Sequence, residues 1–153
     1  MALPILSYFG LGPQENYADK RQSCRHGWYE TQVSDLSEDY IRPQETGSRG
    51  DCEVVTLTGD GLSLTAASSS LFSFNASHYT QEELEAKGHN HELIPCGAMV
   101  VCIDSAMSGV GSASCGPELA APYRVDAADL FLDVRLVFNN AHDCAGGPRS
   151  TVE

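Results

Sequence analysis

The chain has 153 residues, 42% of them hydrophobic and 20% charged, with a net charge of −12 at pH 7. Those are the proportions of one ordinary globular domain, not of a disordered chain. The acidic balance excludes nucleic acid and anionic membrane as partners, because phosphate binding needs basic clusters. No apolar run approaches the roughly 18 residues of a membrane-spanning helix.

Met1 to Leu6 is too short and uncharged for a secretory leader, so a cytoplasmic protein is expected. Tyr8 to Asp19, YFGLGPQENYAD, packs Gly10, Gly12 and Pro13 into a few residues, which predicts a tight, irregular backbone. The polar set Gln14, Glu15, Asn16, Tyr17 and Asp19 follows at once. Further on, Glu53–Leu57, Leu62–Ala67 and Leu71–Asn75 read as short strands. Asp60-Gly61 is the turn of the first hairpin.

Thr80 to Lys87 is the one helix expected, with Thr80 as N-cap, Glu83 completing a capping box and Gly88 as stop. Leu84 is nearly its only apolar residue, which puts the helix on the surface. Ala98–Asp104 is a near-continuous apolar run, as in a central strand buried on both faces. Ser105 to Pro122 is a long Gly-, Ser- and Ala-rich connection, and such loops are uncommon unless functional. Leu130, Leu132, Val134, Leu136 and Phe138 alternate strictly, with Asp133 and Arg135 opposed, as in a half-buried strand. The fold class is therefore all-β, an antiparallel sandwich with one short surface helix.

Five segments in one order carry a family resemblance. GLGPQENYAD (Gly10–Asp19) is similar to the GxGPxENYxD loop of bacterial β-galactosidases of glycoside hydrolase family 2. YIRPQETGSR (Tyr40–Arg49), FSFNASHYTQEEL (Phe72–Leu84), His89-Asn90-His91 and IDSAMSGVG (Ile103–Gly111) resemble further elements of that family. The resemblance covers Tyr8 to about Phe138. It implies that residues 1–138 are the C-terminal portion of a β-sandwich domain, part of a galactose-mutarotase-like supersandwich. Residues 139–153 have no counterpart in the family and read as a disordered tail.

The resemblance also implies that the whole enzyme hydrolyses terminal β-D-galactosides such as lactose by a retaining route. Its two catalytic glutamates, and the family's Mg2+ and Na+, belong to a barrel domain. No catalytic residue, metal or cofactor is therefore expected in this chain. The partners implied are the remaining domains, with galactoside or glucose at the active-site rim. In the family the loop corresponding to Gly109–Leu119 reaches over the barrel mouth, and a tryptophan on it stacks on the sugar. Here Cys115 stands at or beside that position, so Ser114, Cys115 and Gly116 are the candidate substrate-binding residues. The rival reading is a non-catalytic carbohydrate-binding or accessory sandwich, or the small subunit of a split enzyme.

Other residue types point elsewhere only weakly. Six cysteines (24, 52, 96, 102, 115 and 144) lack the paired spacing of a zinc site and read as free, mostly buried thiols. Ser23-Cys24-Arg25-His26 puts a thiol near an imidazole, but neighbouring side chains in extended chain point apart. His89 and His91 fall on one side of an extended segment, as a metal would need, without a third ligand of clear spacing. Glu82, Glu83 and Glu85 read as a solvated helix face, and Asp35, Glu38 and Asp39 as loop and turn residues. Trp28, the single tryptophan, reads as packing in a core or domain interface rather than stacking on sugar.

Overall fold

The computed structural model describes residues 4–110, 116–126 and 129–140. Strands β1 (Ile5–Gly12), β2 (Arg25–Gln32), β3 (Arg49–Gly59), β4 (Leu62–Ser77), β5 (Val100–Asp104) and β6 (Arg135–Asn140) form one antiparallel sheet. Its order is β2-β1-β3-β4-β5, with β6 also paired to β4. This is an all-β, sandwich-like architecture, and α1 (Gln81–Ala86) is its single short α-helix among the described residues.

Strand β4 organises the sheet. One long edge pairs with β3. The other is shared: Leu62–Ala67 pairs with β6, and Ser73–Ser77 pairs with β5. The two segments expected as separate strands are thus one element of 16 residues. Between its halves, Ala67-to-Phe72 on β4 spans only Val54-to-Cys52 on β3, an irregularity that bends the strand. The hairpin turn is as expected: Asp60 (φ 50°) and Gly61 (φ 79°) both take the left-handed conformation of a two-residue turn.

The Gly-rich opening is not irregular. Tyr8 to Gly12 lies inside β1, and the strand is paired on both edges. Its glycines serve close packing: a Cβ on Gly10 would overlap Cys52 Sγ and come within 3.0 Å of the Cys52 Cα. A Cβ on Gly12 would overlap the Tyr8 hydroxyl and lie 2.8 Å from the Tyr29 ring. The chain turns only after Gly12, at a cis Gly12-Pro13 bond.

Period-2 alternation puts the core on one face of the sheet. Successive rungs are Leu6, Leu57, Leu64 and Phe138, then Tyr8, Val55, Ala66 and Leu136. Phe74 and Ala76 continue that face beside Ile103 and Val101 of β5. Val33 and Leu36, on a short 3-10 turn, close over it. Each large side chain removed from water there contributes roughly 1.5–3 kcal/mol. Burial fades toward β6, where Leu136 is 51% and Phe138 74% exposed.

Three further expectations are corrected. Val100–Asp104 is an edge strand and half-buried throughout, not a central strand buried on both faces. The alternating segment from Leu130 becomes strand only at Arg135, and Leu130 and Leu132 lie exposed outside it. Asn139 and Asn140, assigned to the tail, pair with Ser63 and Leu62, while the rest of the tail lies outside the described residues. In α1, Thr80 Oγ1 caps as expected, accepting from Glu83 N at 3.2 Å. Glu83 itself accepts the Ile94 amide at 2.8 Å. The helix ends with Lys87 extended, and Leu84 is half-buried.

Candidate functional site

The segments that carried the resemblance are one another's hydrogen-bond partners. Glu15, placed just past the end of β1, is 2% exposed. It accepts from Lys20 Nζ (2.7 Å), Thr46 Oγ1 (2.8 Å), the Gly47 amide (2.7 Å) and the Tyr40 hydroxyl. Burial pushes its carboxyl up, but the donors from Lys20, Tyr40, Gly47 and Thr46 outweigh that and hold it below the usual range. Lys20 is raised in turn: desolvation lowers it, and Glu15, Glu38 and Tyr40 more than restore the charge.

Asn16 stitches the same layers through the backbone. Its amide donates to Ser48 O (2.8 Å), its Oδ1 accepts from Gly50 N (2.8 Å), and its Nδ2 donates to Leu11 O (3.0 Å). Arg49, buried, donates to the Tyr8 hydroxyl (3.2 Å) and to the carbonyls of Leu36, Gly47 and Ser48. Asn75 Nδ2 donates to Glu45 Oε1 (2.9 Å) and Thr46 O (2.7 Å), and the Tyr17 hydroxyl reaches the same Glu45 oxygen at 3.3 Å. Burial raises Glu45, with the nearby Asp104 and Glu15 charges adding to it, and burial raises Asp104 as well.

Glu15 and Glu38 both contact Lys20 Nζ at 2.7 Å, so they resemble a paired-carboxylate site. They do not work as one. Glu15 is sealed from solvent and fully occupied by donors, so a sugar cannot reach it. Of the other suspected centres, Cys24 is buried with Sγ 3.6 Å from Gln14 O, and the exposed His26 bonds Asp51 O through Nε2. They form no thiol–imidazole pair. Among the described residues Cys24, Cys52, Cys96 and Cys102 are free thiols. Desolvation pushes Cys52 up to about 12, the mark of a packing residue.

Beside this network, a cleft of about 240 Å³ opens between the body of the domain and the two stems of the long connection, Ser105–Met107 and Pro122–Val125. Tyr17, Arg21, Asp51, Phe72, Met107 and Tyr123 are among the residues that line it. Of these, Arg21 and Asp51 are ion-paired. The two stems are tied by Gly109 N to Tyr123 O (3.3 Å), and Val125 N donates to Ser108 Oγ (3.1 Å). Gly109 abuts the Asp19 carboxylate so closely that any Cβ would overlap it. The volume falls below the roughly 300 Å³ at which a pocket holds a small molecule alone. Gly116 lies exposed beyond the stems, and Ser114 and Cys115 lie outside the described residues.

Two features refine the sequence reading. Trp28 is 66% exposed, which excludes the core and leaves the domain-interface role expected for it; it stands beside Phe9 (centroids 5.3 Å apart), which in turn meets His26 edge-on at 4.6 Å. His89 and His91 do not share one extended segment. His89 is extended and precedes a 3-10 turn, Asn90–Glu92, that contains His91, and Glu92 joins them as a third group with a metal-binding atom.

Residues 2–136 match the family model described as beta galactosidase small chain. The chain belongs to that family. It is 43% identical over 134 residues to a beta-galactosidase of Actinobacillus pleuropneumoniae, covering 88% of this chain and 13% of that protein. It is 36% identical over 137 residues to a beta-galactosidase of Staphylococcus xylosus (90% and 14%). A beta-galactosidase of Kluyveromyces lactis is 30% identical over 132 residues (86% and 13%). The small-chain domain is thus a minor share of the curated relatives it matches.

Proposed function

We propose that this chain is the small-chain domain of a cytoplasmic β-galactosidase that hydrolyses terminal β-D-galactosides such as lactose with retention. It contributes framework and one rim of the active site, while the catalytic glutamates come from elsewhere in the enzyme. The observation that carries this reading is the stem architecture. The ends of the Ser105–Val125 connection are clamped to each other and against Asp19, which gives the intervening loop a rigid base from which to reach a neighbouring domain.

Retaining hydrolysis needs two carboxyl groups about 5 Å apart across the sugar. Of the two carboxylates that meet at Lys20, Glu15 is buried and saturated with donors, which supports an inactive isolated chain. Ser114, Cys115 and Gly116 are the rim residues in this proposal, and other domains cover the apolar face near β6. Co-expression with a β-galactosidase lacking its small-chain domain tests it. The chain alone should give no turnover of a chromogenic galactoside, and the pair should restore it. Turnover by the chain alone, abolished by substituting one of its own carboxylates, would overturn the reading.

One observation favours a second reading. Phe9, His26 and Trp28 make an exposed aromatic surface on the face of β1 and β2 away from Tyr8, the geometry an accessory carbohydrate-binding module would use.

A further inference from the structure

His89, Asn90, His91 and Glu92 form a turn that neither the buried network nor the cleft employs. The imidazoles of His89 and His91 are stacked, with centroids 5.3 Å apart and planes 25° from parallel. One donor atom each from His89, His91 and Glu92 lie within 4.8 Å of one another, all on exposed residues. We propose that this turn is a surface binding site for one divalent transition-metal ion of the zinc type, held by two imidazoles and one carboxylate.

The turn is built before any ion arrives. Glu92 Oε2 accepts the amides of Gly88 and His89, each at 3.0 Å, and the Glu92 amide donates to the His89 carbonyl at 3.0 Å. These bonds fix the Glu92 carboxylate against the His89 backbone and leave the second Glu92 oxygen and both imidazoles for a cation. Leu93 N donates to Asn90 O (3.2 Å), and Asn90 Nδ2 donates to Tyr40 O (2.9 Å), which ties the turn to the body of the domain. Zinc–nitrogen bonds of about 2.0–2.1 Å on a tetrahedral ion put two donors roughly 3.3 Å apart. Exposed imidazoles reach that spacing by small side-chain rotations, with no backbone change. Two nitrogens and one oxygen suit zinc, nickel or copper over magnesium or calcium, which favour all-oxygen shells. The remaining position goes to water or to a ligand from a neighbouring surface.

Equilibrium dialysis of the 153-residue chain against zinc chloride tests the site, with Co2+ as a spectroscopic substitute. One saturable equivalent is expected. His89→Ala or His91→Ala should each weaken it by about tenfold or more. Cys96→Ser should leave it unchanged, and bound Co2+ should show no thiolate charge-transfer band. Both histidines are exposed, so their variants should keep the wild-type circular dichroism. The proposal fails if wild type binds no zinc, if both histidine variants bind as wild type does, or if Cys96→Ser removes the site.

Discussion

Lys20 and Glu15 meet at 2.7 Å with the carboxylate fully buried and the ammonium partly in water. The pair closes the short bridged turn from Tyr17 to Lys20 over the end of β1 and draws in Glu38 and Tyr40 from a distant loop. Glu15→Ala should cost roughly 1–3 kcal/mol, because it strands the buried Gly47 amide and takes the shared acceptor from Lys20, Tyr40 and Thr46. Lys20→Met should cost less, since Tyr40, Thr46 and Gly47 still donate to Glu15. Urea unfolding of both variants checks the order, and an equal cost for the two would contradict it.

Glu45 and Asp104 predict an unusual pH profile. Their folded values are raised, so ionising them costs stability as pH rises from the ordinary carboxylate range through those values. Glu15 is depressed, so its contribution is complete above the ordinary range and is lost as pH falls through its folded value. Stability should therefore rise on mild acidification from neutrality and then collapse. Glu45→Gln keeps an oxygen for Asn75 and Tyr17 and removes the charge, so it should flatten the rise. Melting temperatures across the acid-to-neutral range, wild type against variant, give the comparison.

Gly10→Ala drives a methyl group into Cys52 within the sheet. The cost should be at the upper end of overpacking, about 3 kcal/mol. Gly10→Ala with Cys52→Ala should recover part of it, and a double-mutant cycle measures how much.

Thiol chemistry should separate Cys96 from Cys52. Cys96 is exposed, while Cys52 is buried with its thiol pushed up to about 12. At neutral pH a disulfide reagent should modify Cys96 in the folded chain and reach Cys52 only on unfolding. Rapid modification of Cys52 would show that β1 and β3 separate readily.

In the intact enzyme, Cys115→Trp should strengthen glucose as acceptor, with stacking worth on the order of 1 kcal/mol, or several-fold in affinity. Substrates with a small leaving group should change little. Glucose inhibition and lactose KM in both proteins are the measurements, and unchanged values in a folded variant would remove Cys115 from the rim.

What was legible in the sequence was local. Asp60-Gly61 announced its turn and Thr80 its helix start, because each acts through its own backbone. What was hidden depended on distant partners. The glycines of β1 look like loop until Cys52, Tyr8 and Tyr29 are seen to press on them. An apolar run such as Val100–Asp104 cannot reveal whether one strand or two will flank it. Leu136 and Phe138 alternate as core residues do, yet the described chain leaves them exposed. The family motifs were readable as a pattern, but their purpose was not. Glu15, Asn16, Glu45, Arg49 and Asn75 are polar residues whose partners lie up to 41 positions away, as Arg49 does from Tyr8.

Because β5 and β6 share one edge of β4, the long connection between them is moored at two points on a single strand. The spacing of its feet is set by the bend between Ala67 and Phe72, which the two feet flank. A change of curvature at Ser68–Leu71 would swing both feet together, as a bracket turns on its post. The reach of the loop is thus under the control of the strand that carries it, and small-chain domains with identical loops can still differ in where the tip arrives.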